Sequence, residues 1–250
     1  MSNDFNMSKS RMGLYHQCPY SYKLRYIEKI PQPTNIYFEI GTDVHDFIDN
    51  LFKIVKIDEN NVLTIPNIDL DTNSEYKFNV LDFEHSRWTT IKDMGLDDSY
   101  FFPVECETTF YDKENKITGI VDRVHKCHNQ DELAPKHRDF MKGDLVIVEN
   151  KTGKFSPYKA HSYEEELLWY RHLLKVNKGI DVRWGCIYFP HSNTCRHIDL
   201  DSVKLTIPKL LQSVNTTRQA IISEEFTPKP STKNCRWCSY KDYCEYKILN

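Results

Sequence analysis

Two acids and a lysine are the residues whose types and spacing can do chemistry. Glu149 and Lys151 close the stretch Gly143-Asp-Leu-Val-Ile-Val-Glu149-Asn-Lys151-Thr-Gly153. Val146, Ile147 and Val148 form a short apolar run bounded by glycines, the pattern of a strand buried on both faces. Residues two apart in a strand leave the sheet on the same face, so Glu149 and Lys151 stand side by side. A carboxylate there can hold a hard divalent cation, and the ammonium can orient a water or steady charge on a phosphate. Alone, a Glu-x-Lys pair at a strand end is ordinarily a solvated surface pair. A second acid changes the balance. Asp122 interrupts the strand pattern of Gly119-Ile-Val-Asp122-Arg123-Val124, where an acid is disfavoured and costly to bury without a partner. A metal shared with Glu149 would explain it, as would a buried pair with Arg123.

Three further sets extend the inventory. His45 lies one turn after Gly41 on an amphipathic helix, and an imidazole added to the acids would favour manganese or iron over calcium. Glu166 and Tyr170 are four apart and share a helix face. Cys235, Cys238 and Cys244 lie close together near the C-terminus, and Cys18, stiffened by Pro19, is the natural fourth thiol. Four thiolates suit a structural zinc or an iron–sulfur cluster. One Cys-x-x-Cys knuckle with two single cysteines, rather than two knuckles, favours a 4Fe-4S cluster. Cys106, Cys127, Cys186 and Cys195 lack ligand spacing and read as buried thiols.

The elements that must position these residues follow from periodicity. Residues 1–7 read as a disordered start. Ser8 caps a helix to about Gln17, with Met12 and Tyr15 inward. An aromatic, basic segment runs from Tyr20 to Tyr26. The amphipathic helix of His45 carries Ile40, Val44, Phe47, Ile48, Leu51, Ile54 and Val55 at helical spacing. Residues 56–76 read as an irregular insertion, and a helix is expected over about 77–94. Strands are expected at 101–111 and 116–127 around a turn at 112–115. A polar excursion over 128–142 precedes the Glu149 strand. Then come a helix at about 162–176, strands at 181–189 and 195–200, and a helix at 208–224. A linker at 226–234 leads to the last cysteines. This order implies an α/β fold on a mixed sheet.

The 250 residues are enough for one large domain with an appendage, and a net charge of −3 leaves no global basic signature. Nucleic-acid contact would need local patches, such as Lys9, Arg11, Lys23, Arg25 and Lys29 at one end and Lys229, Lys233, Arg236 and Lys241 at the other. No apolar run is long enough to span a bilayer, and the N-terminal residues do not read as a charged-then-apolar leader. A cytoplasmic protein without membrane contact is expected. Eight cysteines then point to metal or buried thiols, not disulfides.

Taken together, the motifs resemble the RecB-like branch of the PD-(D/E)XK nuclease superfamily. The chain looks most like the iron–sulfur exonucleases of CRISPR adaptation (the fourth Cas protein) and is similar to the nuclease modules of AddB-type helicase–nucleases. The matching residues are Cys18-Pro19 within Ser8–Tyr26, Gly41-x-x-x-His45, Gly119-x-x-Asp122-Arg123, Glu149-x-Lys151-Thr-Gly, and Cys235-x2-Cys238-x5-Cys244. The resemblance implies a mixed central β-sheet flanked by helices, a restriction-endonuclease-like core, with an iron–sulfur subdomain built from both termini. The implied division is 1–35, 36–225 and 226–250. It also implies Mg²⁺ or Mn²⁺ on His45, Asp122, Glu149 and the backbone carbonyl of Asn150, with Lys151 positioning or activating the attacking water. Cys18, Cys235, Cys238 and Cys244 would hold the 4Fe-4S cluster. Glu166 and Tyr170 stand where the family carries Gln-x-x-x-Tyr; the acid would repel phosphate and can instead serve as a further metal ligand. The implied activity is hydrolysis of single-stranded DNA or DNA ends, with CRISPR integrase proteins as partners. The alternatives are a non-catalytic DNA-end- or partner-binding scaffold of the same fold, or a recombination, repair or phage-encoded RecB-like nuclease.

Overall fold

Val146, Ile147 and Val148 are fully buried, so the strand that carries Glu149 is covered on both faces as its composition requires. The computed structural model describes residues 5–33, 35–60, 62–65 and 72–248. They form two compact units. One holds residues 36–110 and 120–206, and the other the two ends of the chain with residues 111–119.

The sheet of the first unit has five strands in sequence order: β3 (Glu105–Asp112), β4 (Ile117–Lys126), β5 (Leu145–Asn150), β6 (Trp184–Phe189) and β7 (Thr194–Asp199). β1 (Lys56–Ile57) and β2 (Leu63–Thr64) make a separate antiparallel pair, so the described part of 56–76 is not wholly irregular. β4–β5 and β6–β7 are antiparallel, and β5–β6 is parallel. A parallel pair needs a crossover, and helix α5 (Ala160–Lys178) supplies it. Leu167 of α5 presses on β6 where the chain has Gly185, and a Cβ there would sit 2.5 Å from Leu167 Cδ1. Any larger residue there would force the Leu167 side chain to shift. On the opposite face, Val44, Phe47, Ile48 and Leu51 of α3 (Ile36–Ile54) and Val80 and Phe83 of α4 (Ser74–Asp93) pack with Val146, Val148, Trp184, Cys186 and Tyr188.

Several expectations shift. The strand expected from 101 begins at Glu105, behind a 3₁₀ turn at Asp98–Tyr100 that buries Phe101. The segment at 128–142 is not a polar excursion, because Leu133, Ala134 and Phe140 enter the core beside α3 and α4. The first strand after α5 starts at Trp184 rather than 181.

In the second unit, Ser8 caps α1 (Lys9–Gln17) by accepting the Arg11 N–H at 3.2 Å, and Met12 and Tyr15 are buried. Of residues 1–7, those described include Met7, which bridges to Ile117 and is buried. Pro19 opens α2 (Pro19–Tyr22), which continues as a π-helical turn over Lys23–Ile27. The Tyr15 hydroxyl donates to the Glu225 carbonyl at 2.7 Å, tying α1 to the chain after α6 (Ile207–Ile222). α7 (Thr232–Arg236) precedes the last cysteines. This unit thus takes in residues 111–119 and 207–225 in addition to the end segments. No helix among the described residues is long and apolar enough to cross a membrane.

Candidate active site

The site forms where β4 and β5 run side by side. Their register pairs Arg123 with Val148 and Val124 with Ile147, so one step further Asp122 stands opposite Glu149. Both then project from the face that α5 covers. Asp122 is not paired with Arg123. Its Oδ2 accepts the Asn150 backbone N–H at 2.8 Å and the Asn150 side-chain amide at 3.2 Å. Arg123 turns to the other face, donating to Asn150 Oδ1 at 2.9 Å and to Glu84 Oε1 at 2.7 Å.

A buried network stands behind Asn150. Glu84 Oε2 accepts from Arg87 at 2.6 Å, and Arg87 grips both oxygens of Asp131, each at 3.0 Å. Burial opposes ionisation of Asp131, yet the Arg87 guanidinium outweighs it and holds the carboxyl below its ordinary range. The 128–142 segment is thereby locked against α4, and the lock passes through Glu84, Arg123 and Asn150 to Asp122.

Around Asp122 the charges are not matched in this way. His45 Nδ1 lies 3.6 Å from Asp122 Oδ2. Glu107 of β3 completes a trio with them, all donor atoms within 4.8 Å of one another. Glu107 sits at φ 46°, a left-handed backbone unusual for a side-chain-bearing residue. Burial, then Asp122, Asp49 and Asp46, push its carboxyl up to about 7. Glu149 bonds Lys151 through Oε1, while its Oε2 is buried with no partner. Burial raises the Glu149 carboxyl well above its usual value, and Asp122 and Glu166 add to the rise. Lys151 also meets Glu166 Oε2 at 3.0 Å. Burial would lower the Lys151 pKa, but Glu149 and Glu166 raise it overall. Tyr170 is buried beside these acids, and its pKa is raised, by burial first and then by Glu149, Glu166 and Asp122.

The structure thus gathers His45, Asp122, Glu149, Asn150, Lys151, Glu166 and Tyr170, and adds Glu107, which the sequence reading missed. The tight trio is His45–Glu107–Asp122, with Glu149 beside it. An orphaned buried carboxylate oxygen within a surplus of acids fits a hard divalent cation. The one mark of Glu107 in the sequence is that of an acid within the strand expected over 101–111, a mark that Glu105 shares.

In the second unit, Cys18, Cys235, Cys238 and Cys244 line one cavity with Ser21 and Lys229. Cys18 Sγ accepts the Lys229 N–H at 3.4 Å, and Ser21 Oγ lies 3.3 Å from Cys238 Sγ. Burial raises the Cys18 pKa, but hydrogen bonds from Lys229, Ser21 and Tyr20 outweigh it and hold the thiol below its ordinary value.

A family model described as the PD-(D/E)XK nuclease superfamily matches residues 6–245. Members of that superfamily are for the most part nucleases that use divalent metals such as Mg²⁺ or Mn²⁺. No curated protein matches the chain.

Proposed function

The chain belongs to the PD-(D/E)XK nuclease superfamily, and we propose that it is a metal-dependent deoxyribonuclease acting as an exonuclease on single strands or DNA ends. The observation that carries this reading is the partnerless buried Oε2 of Glu149, set among more carboxylates than Lys151 can neutralise. His45, Glu107, Asp122, Glu149 and the Asn150 carbonyl would hold the cation. Bound Mg²⁺ or Mn²⁺ supplies Lewis-acid polarisation of the phosphate and a more acidic bound water.

The chain's own residues do the rest. Asn150 fixes the Asp122 carboxylate by two donors. Lys151, with its pKa raised by Glu149 and Glu166, stays an ammonium at neutral pH. It therefore orients the attacking water or donates to a phosphate oxygen instead of removing a proton. Glu166 anchors Lys151 at 3.0 Å, so its role is to aim the lysine, and buried Tyr170 walls the acids off from water.

One Cys-x-x-Cys knuckle with two single cysteines, all four lining one cavity, supports a 4Fe-4S cluster over zinc. N–H donors on Cys18 suit a thiolate ligand. The resemblance to adaptation nucleases makes CRISPR spacer acquisition, beside integrase proteins, the setting we favour.

The test is cleavage of end-labelled single-stranded DNA by anaerobically purified protein with Mn²⁺. Lys151→Ala is expected to lower the rate about 10²–10³-fold while the protein keeps its brown colour. Wild-type protein that leaves both single strands and duplex ends intact in Mn²⁺ and Mg²⁺ would sink the reading.

A further inference from the structure

Cys186 and Cys195 have no ligand spacing in the sequence, yet the sheet brings them together beside a histidine. The β6–β7 register pairs Cys186 with His197 and Tyr188 with Cys195. Side chains two apart, and those directly opposite, share a face, so all three residues project to the same side. Two sulfurs and one imidazole nitrogen lie within 4.8 Å of one another. Cys186 is buried and Cys195 is half-buried against the core of α3 and α4.

The histidine is also in the tautomer that a metal requires. His197 Nε2 meets the Glu132 carbonyl oxygen at 2.9 Å. A carbonyl only accepts, so Nε2 carries the proton and Nδ1 keeps its lone pair. A backbone carbonyl on one ring nitrogen, with the other left free, is the usual support for a metal-bound imidazole.

We propose that Cys186, Cys195 and His197 form a zinc site, separate from the oxygen-rich pocket. Two soft sulfurs and an imidazole select zinc over magnesium or manganese. On binding, each thiol releases its proton to solvent. Two thiolates, a neutral imidazole and Zn²⁺ then sum to zero charge, which a site bordering the core tolerates. The chain supplies three donors and leaves the fourth position of a tetrahedral ion to solvent. The ion would tie β7, at the edge of the sheet, to β6 and, through His197 and Glu132, to the 128–142 segment.

The experiment uses Co²⁺ as the probe, in full-length protein carrying Cys235→Ser and Cys238→Ser so that the terminal thiols do not compete. Binding is expected to give a thiolate-to-cobalt charge-transfer band that Zn²⁺ abolishes. Cys195→Ser or His197→Gln, added to that background, is expected to weaken it about tenfold or more. A second measurement needs no variant. Alkylation of Cys195 in the wild-type chain is expected to slow about tenfold or more with Zn²⁺ and to recover with chelator. No cobalt–thiolate band in the background protein, a band indifferent to Cys195→Ser, or alkylation indifferent to zinc would overturn the proposal. So would a Cys186–Cys195 disulfide in protein handled without oxidant.

Discussion

Two clusters of buried charge occupy the same unit and resolve their charge in opposite ways. In the cluster behind Asn150, Glu84 and Asp131 meet Arg87 and Arg123, and all four carboxylate oxygens accept from a guanidinium. Its loose end is Arg123 Nε, which has no partner. In the cluster in front of Asn150, Glu107, Asp122, Glu149 and Glu166 gather around Lys151 and His45, and a carboxylate oxygen is left orphaned. A neutral, paired cluster can be frozen in place. One with surplus negative charge is stable only if protons or a cation make up the difference. The first cluster is scaffold, and the second is where chemistry can happen.

The largest effect should come from breaking the scaffold. Arg87→Met strands Asp131 and Glu84 as buried charges and is expected to lower unfolding free energy by about 3–5 kcal/mol, read from denaturant midpoints. A loss under about 1 kcal/mol would place the pairs in the class of weak surface bridges. Next comes Asn150, the residue that joins the two clusters. Asn150→Ala removes the side-chain donor to Asp122 and is expected to reduce metal affinity or cleavage about 10–100-fold. Unchanged activity would mean that the backbone donor alone holds Asp122.

The smallest effect is one of sign. Asp131 is held below the ordinary carboxylate value, so its stabilisation is present above about pH 4 and is lost as pH falls through its folded pKa. Glu107 is pushed up to about 7. Between about pH 4.3 and that value the folded chain keeps a proton that the unfolded chain has released, so metal-free stability falls as pH rises. Metal-free protein should therefore melt higher at about pH 5.5 than at about pH 8. Glu107→Gln should flatten the difference, and Mn²⁺ should raise the melting point at the higher pH. Equal pH dependence with and without Glu107 would remove it from the cluster.

Much of the site was legible because its residues violate local rules. Asp122 breaks an apolar strand and Glu149 ends one, and both irregularities proved to be neighbours. The scaffold was not legible. Lys77, Glu84 and Arg87 are buried on α4, but charges on a helix normally mark its solvent face. Their burial depends on Asp43, which pairs with Lys77, and on Arg123 and Asp131, far away in sequence. The 128–142 segment misled for the same reason, since its few apolar residues and its acid have meaning only against α4. Glu107 was missed because nothing in Glu105-Cys106-Glu107 separates a surface acid from one aimed at Asp122. The pairing of Cys186 with His197 is a matter of register, which spacing along the chain does not reveal.

The most direct test of the contrast is Mn²⁺ binding followed by electron paramagnetic resonance, where bound ion disappears from the free-ion signal. Wild-type protein is expected to take up Mn²⁺. Asp122→Asn and Glu107→Gln should each weaken uptake about tenfold or more while the chain stays folded. Wild-type protein that leaves the free Mn²⁺ signal untouched, or Asp122→Asn that binds as well as wild type, would contradict the assignment of this pocket as the metal centre.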